Sequence, residues 1–261
     1  MELSFSIHKA QSPIIAAAIH DGHLIDASLL DDLALQEHER FREEDPYTAY
    51  MADLPVSRID VRTSRFQIDL NRAREQAIYR RPEDAWGLQV WRRPLPKTSI
   101  LQLLDEYDRF YTGVAQLLQW TIAMFGKFVV LDIHSYNHRR SNPLEAASIS
   151  ENPEINIGTA FNYGKWQLLG RRVVRFLSYH SILGHFPDVR ENTKFGGGTF
   201  AEWVNRYYGE YGCVLSLEFK KTFMDEWTGR VDIRHLNDIR MALKGCIPFL
   251  LDQLDVQSKL T

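Results

Sequence analysis

Apolar residues follow two different periodicities that alternate along this chain. Pro13 to Ile19 and Phe128 to Leu131 are unbroken apolar runs, the pattern of strands covered on both faces, and Val214 to Phe219 reads as another strand. Between the first two, Leu101, Leu104, Tyr107, Phe110, Tyr111, Val114, Leu117 and Leu118 recur at helical spacing and predict a helix from about Ile100 to Phe125, closed by Gly126. Further helices are predicted over Trp166 to Tyr179 and Leu236 to Leu254, the latter kinked at Pro248. Another is predicted from Thr199, as cap, to about Tyr208, with Glu202 placed for a capping box. Residues 27–43, with Leu29, Leu30, Leu33 and Leu35 among charges, predict a surface helix that Glu43-Glu44-Asp45-Pro46 breaks. Ile59, Val61, Phe66 and Ile68 alternate and predict strand pairing; residues 80–98, rich in proline and tryptophan, predict a structured loop. With no repeat or linker in sight, strands alternating with long helices predict one α/β domain over residues 1–261. Its sheet should be mixed, mainly parallel and flanked by helices.

The ends of the strand-like segments carry the chemistry. Ile14 to Ile19 runs into His20-Asp21-Gly22-His23, the alternating stretch ends in Asn71-Arg72, Val129 to Ile133 leads to His134, and the last strand contains Glu218. Open α/β sheets bind ligands beyond the carboxyl ends of their strands. His20 and His23, with Gly22 letting the chain curl between them, can turn toward one point, and His134 would complete a three-ligand zinc site with one open position. The plainer alternative is three core histidines, each with its own hydrogen bond. A buried Glu218 is costly unless paired or functional, and near a zinc site it is a candidate proton shuttle. Arg65, Asn71 and Arg72 are candidate anion binders, with a surface ion pair to Asp69 or Glu75 as the alternative. The loops Tyr136 to Asn142 and Glu191 to Thr199 are expected to line the pocket, bringing Tyr136, Arg139, Arg140, Asn192, Lys194, Gly197 and Gly198 near it.

Composition narrows the partners. The chain has 261 residues, 44% of them hydrophobic, enough for a sizeable core, and a net charge of −3 that suggests neither nucleic acid nor an anionic membrane as partner. No apolar run approaches the roughly 20 residues of a membrane span, and the first residues lack a secretory pattern. Cys213 and Cys246 have no metal-type spacing, so reduced thiols and a cytoplasmic location are expected.

The ordered segments IHDGH, SRFQIDLNR, LDIHSYNHRR, INIGT, ENTKFGGGTF and LSLEF resemble the N-formylglutamate amidohydrolase family. More distantly they resemble zinc carboxypeptidases and aspartoacylase-type deacylases, and so a zinc exopeptidase-like fold. The resemblance spans about residues 13–230. It implies one zinc per chain on His20, His23 and His134, with His23 standing where the carboxypeptidase pattern has glutamate. It also implies Glu218 as catalytic carboxylate, Arg65 as oxyanion partner, and Asn71-Arg72 as the clamp for the α-carboxylate. Arg139, Arg140 and the Gly197-Gly198 backbone are then candidates for a second carboxylate, and Asp132 for a carboxylate behind the ligands. The implied activity is removal of a formyl or other small acyl group from an N-acyl acidic amino acid, a small-molecule substrate. A small zinc carboxypeptidase or peptide-amide hydrolase, and a non-catalytic domain that binds metal or carboxylate, remain as alternatives.

Overall fold

The computed structural model describes residues 1–145 and 147–258. Among these residues seven strands form one sheet: β1 (Phe5–His8), β2 (Ile14–Ala18), β3 (Ser57–Val61), β4 (Phe128–Tyr136), β5 (Ile155–Gly158), β6 (Val189–Glu191) and β7 (Gly212–Lys220). Their order is β1-β3-β2-β4-β7-β5-β6. The central four, β3-β2-β4-β7, are mutually parallel; β1 is antiparallel to β3, β5 antiparallel to β7, and β6 parallel to β5. The sheet is therefore mixed and mainly parallel, as expected. Among the described residues six α-helices accompany it: α1 (Glu37–Glu43), α2 (Thr48–Met51), α3 (Lys97–Phe125), α4 (Lys165–Ser178), α5 (Thr199–Tyr208) and α6 (Ile233–Ser258).

The unbroken apolar runs have a simple cause. Ile15, Ala17 and Val130 pack with Leu103, Phe110, Leu117, Phe200 and Val204 of α3 and α5. Their neighbours Ile14, Ala16, Ala18, Val129, Leu131 and Ile133 pack with Leu169, Val173, Leu243 and Leu250 of α4 and α6. Alternate residues thus serve opposite cores, and no position is left for a polar side chain. All nine residues of β4 are buried, so truncating one of its large apolar side chains to alanine should cost about 2–5 kcal/mol.

Three local expectations change. Residues 27–43 do not form one helix; a 3-10 turn at Ala27–Leu29, held by the Asp26 carboxylate, is followed by irregular chain up to α1. Leu29 faces the core from the turn, Leu33 and Leu35 from the irregular segment, and Leu33 bridges to Trp91. Phe66, Ile68 and Leu70 are likewise buried, but from turns rather than from a continued β3. At α5 the cap residue is Gly198, and Glu202 pairs with Arg206 instead of closing a capping box. A distant side chain takes over: Asn71 Oδ1 accepts the Phe200 N–H at 3.0 Å. Among the described residues no helix is long and apolar enough to cross a membrane.

Candidate active site

Parallel strands bring their carboxyl ends to one edge, and three buried side chains meet there. His20 lies two residues beyond β2 and His134 sits within β4, their rings 4.9 Å apart. Asp45 comes from the link between α1 and α2, where its N–H donates to the His20 carbonyl and its own carbonyl accepts from Thr48 Oγ1. Asp45 Oδ2 is 3.0 Å from His134 Nδ1 and 3.5 Å from His20 Nδ1. One donor atom from each of the three residues falls within 4.8 Å of the others.

Each imidazole is backed by another buried carboxylate. His20 Nε2 is 2.8 Å from Asp69 Oδ1, and His134 Nε2 is 2.9 Å from Asp132 Oδ1. His20 Nδ1 has no hydrogen-bond partner, although it is buried. A ring held from behind by Asp69, a second ring within ion-pair reach of Asp132, a carboxylate between them and an unsatisfied nitrogen on each ring make a donor set that fits a metal ion. The charges respond accordingly. Burial would raise the Asp45 carboxyl, but the hydrogen bond from His134 and the nearby His20 ring hold it well below the usual carboxylate range. Burial would lower His134, but the Asp132 carboxylate lifts it well above its ordinary value.

His23 is not brought to this point. Gly22 does not curl the chain; it lies against the backbone of Arg62 and Thr63, where an added Cβ would come within 2.3–2.5 Å of backbone atoms. The chain continues extended, Leu24 bridging to Thr63, and carries His23 toward α1. There its Nδ1 meets the buried Glu44 carboxylate, and its Nε2 faces Arg40 at 3.3 Å. Asp45, not His23, lies beside His20 and His134.

His20, Asp45 and His134 open into a cavity of about 230 Å³. Glu218 lines it from β7, directly across from His134 in the parallel register. Its side chain keeps partial access, yet it lies deep enough for burial to push its carboxyl up to about 8, against the pull of the His134 charge. Arg65 also lines the cavity, its guanidinium fixed by donation to Asp69 Oδ2 at 2.8 Å and Tyr79 Oη at 3.3 Å.

Asn71 and Arg72 reach the same cavity beside Gly197 and Gly198. Because the Asn71 oxygen caps α5, its amide Nδ2 is the group left to donate. The fit needs glycine at 198, since an added Cβ would lie 2.2–2.5 Å from the Asn71 amide group. Tyr136 contributes its ring, but its hydroxyl donates to the Pro153 carbonyl. Arg140 reaches the rim already paired with Glu43 at 3.1 Å. Arg139 turns away to Asp225 at 3.1 Å and the Pro143 carbonyl, and does not line the cavity. Asn192 and Lys194 are also outside its lining; they fasten their loop through Thr159 and Asn152.

Several lining residues carried no sequence signal of their own. Glu43 and Asp45 read as helix-breaking surface acids, yet both are buried. Trp86, in a left-handed backbone conformation, lays its indole over Arg65 at 4.8 Å and Arg140 at 5.6 Å. Lys221 is a fully buried ammonium at the cavity wall, lowered by burial to about 8.

The family model described as N-formylglutamate amidohydrolase matches residues 12–224. Among solved structures, the chain is similar to an N-formylglutamate amidohydrolase from Ralstonia eutropha JMP134, with a TM-score of 0.71 at 15% identity, covering 94% of this chain and 97% of that one. It is also similar to a gene product of Agrobacterium tumefaciens, with a TM-score of 0.63 at 16% identity, covering 94% and 96%. At such identities the two structures speak to the fold. A search of curated proteins gave no match.

Proposed function

The chain belongs to the N-formylglutamate amidohydrolase family, and from that premise we propose a zinc-dependent amidohydrolase acting on N-acyl acidic amino acids. N-Formyl-L-glutamate, or a relative with another small acyl group, is the substrate this reading favours. The observation that supports it best is the meeting of His20, Asp45 and His134 beside Glu218 in one cavity. One zinc per chain would be held by His20 Nδ1, His134 Nδ1 and an Asp45 oxygen, with Asp69 and Asp132 orienting the two rings from behind. When bound, such an ion supplies Lewis-acid polarisation of the scissile carbonyl and makes a nearby water more acidic.

The remaining steps fall to side chains. Glu218 takes the proton of the attacking water and passes it to the leaving nitrogen. Its raised proton affinity suits the second transfer, in which it must act as an acid. Arg65, held rigid by Asp69 and Tyr79, directs its remaining N–H groups at the oxygen that gains charge. Asn71 Nδ2 and the Arg72 guanidinium hold the α-carboxylate, and the positive end of α5 adds to their field. Gly197 and Gly198 let the substrate approach that helix end closely, and the Tyr136 ring forms an apolar wall. Arg139 lies outside the cavity lining, and Arg140 lines its rim while paired with Glu43, so a second substrate carboxylate is better sought from another cation.

The test is turnover by the zinc-loaded protein on a panel of N-formyl amino acids, N-acetyl amino acids and dipeptides. Small acyl groups on acidic amino acids should be released fastest, and Glu218→Gln should keep its zinc while losing most turnover. Preference for dipeptides would favour a carboxypeptidase instead. Ligand binding without turnover would favour a non-catalytic domain, and full turnover by Glu218→Gln would remove that residue from the mechanism.

A further inference from the structure

Lys221 has no part in the chemistry above, yet it is 1% exposed and lines the same cavity. Its Nζ donates to the carbonyls of Arg42 at 2.6 Å and Glu44 at 2.7 Å. An ammonium has three N–H groups, so one is left over, and both acceptors are neutral. Among the described residues no carboxylate lies within ion-pair distance of it. The other cations of the cavity differ: Arg65 is neutralised by Asp69 at 2.8 Å and Arg140 by Glu43 at 3.1 Å. Arg72, only 3.9 Å from the same Asp69 carboxylate, stands beside Asn71. Asp45, Glu43 and Glu226 attract it only from beyond contact, and a buried charge without a counter-ion in contact costs several kcal/mol, so an anion that completes it is bound with advantage.

The two under-neutralised cations also belong to different walls. Arg72 is next to Asn71, which is tied to the start of α5. Lys221 follows Glu218 by three residues, its N–H donates to the Tyr136 carbonyl, and its side chain reaches the 42–44 segment. A substrate anchored by its α-carboxylate at Asn71 and Arg72 therefore has a second positive charge waiting at a separate place.

We propose that Lys221 is a specificity-determining residue that recognises the side-chain carboxylate of the substrate and selects an acidic amino acid over its neutral amide. The assignment rests on the amidohydrolase reading, but it is tested separately. The zinc-loaded full chain is assayed for kcat/KM on N-formyl-L-glutamate and N-formyl-L-glutamine, and for calorimetric binding of L-glutamate and L-glutamine. Wild type should prefer the glutamate member of each pair. Lys221→Met should reduce kcat/KM for N-formyl-L-glutamate by at least about 30-fold, chiefly through KM. Its rate on N-formyl-L-glutamine should stay within about threefold, so the preference collapses. Lys221→Arg keeps the charge and should keep the preference; Arg140→Met should keep it too.

An equal fall on both substrates in Lys221→Met would make the residue only a tie to the 42–44 segment and overturn the proposal. So would loss of preference in Arg140→Met instead. Wild type without any preference for glutamate overturns it even if Lys221→Met does not fold. Selective glutamate binding lost in Lys221→Met, with no turnover of either formyl compound by wild type, would support Lys221 while defeating the amidohydrolase reading.

Discussion

Glu218 gives a thermodynamic prediction that does not depend on catalysis. In the protein stripped of metal, burial lifts this carboxyl from 4.5 to about 8. Between those two values the unfolded chain has lost the proton while the folded protein retains it. Unfolding then releases a proton, so stability falls as pH rises. The contribution is complete below pH 4.5, declines through the interval and is gone above about 8. One proton gives a slope of at most about 1.4 kcal/mol per pH unit, and the whole interval a ceiling of about 5 kcal/mol. Because the side chain opens into the cavity, solvent screening should reduce the observed change to about 2–4 kcal/mol. Glutamine at 218 does not titrate. Urea unfolding of wild type and Glu218→Gln, each with a chelator at pH 5, 6, 7, 8 and 9, isolates the effect as the difference between two curves. Other titrating groups, including His134, are common to both proteins. The difference should shift against wild type from pH 5 to 8 and level off beyond. Two curves that stay parallel would refute a buried, proton-holding Glu218.

Three other substitutions test the frame around the site. Gly198→Ala places a methyl against the Asn71 amide, so kcat/KM should fall roughly 10- to 100-fold through KM, the scale of one hydrogen bond to a charged group. Unchanged steady-state kinetics would detach Asn71 from substrate binding. Asp69→Asn and Asp132→Asn each remove a carboxylate behind an imidazole and should weaken zinc binding about 10- to 100-fold, read by competition with a chromogenic chelator. Wild-type affinity in both variants would mean the rings are held by other contacts.

Much of the architecture is legible in periodicity because each central strand feeds two cores. Alternate residues of β2 and β4 face α3 and α5 on one side and α4 and α6 on the other, which leaves apolar runs with no gaps. His20, His134 and Glu218 stand out because each is a polar residue at the end of, or inside, such a run. The sequence is silent where burial comes from the path of irregular chain. Glu43-Glu44-Asp45 looks like a solvated helix end, yet all three are buried, enclosed by His23, Ser64, Arg140 and the two site histidines. Gly22 shows the same limit from the other side. A glycine between two histidines suits a tight curl or a close backbone approach equally well, and only the packing against Arg62 and Thr63 decides for the second. That choice exchanges His23 for Asp45 at the proposed metal site. Arg139 and Arg140 illustrate a related point: adjacent cations look equivalent in sequence, but their acidic partners Asp225 and Glu43 come from distant segments.

The exchange of His23 for Asp45 is the point on which the proposed centre turns, and metal content decides it. Wild type, Asp45→Ala and His23→Ala, purified after expression with zinc and dialysed against buffer, can be compared by elemental analysis at equal protein concentration. That exchange predicts about one zinc per chain in wild type and in His23→Ala, and loss of most of it in Asp45→Ala. Zinc retained by Asp45→Ala and lost from His23→Ala would contradict it.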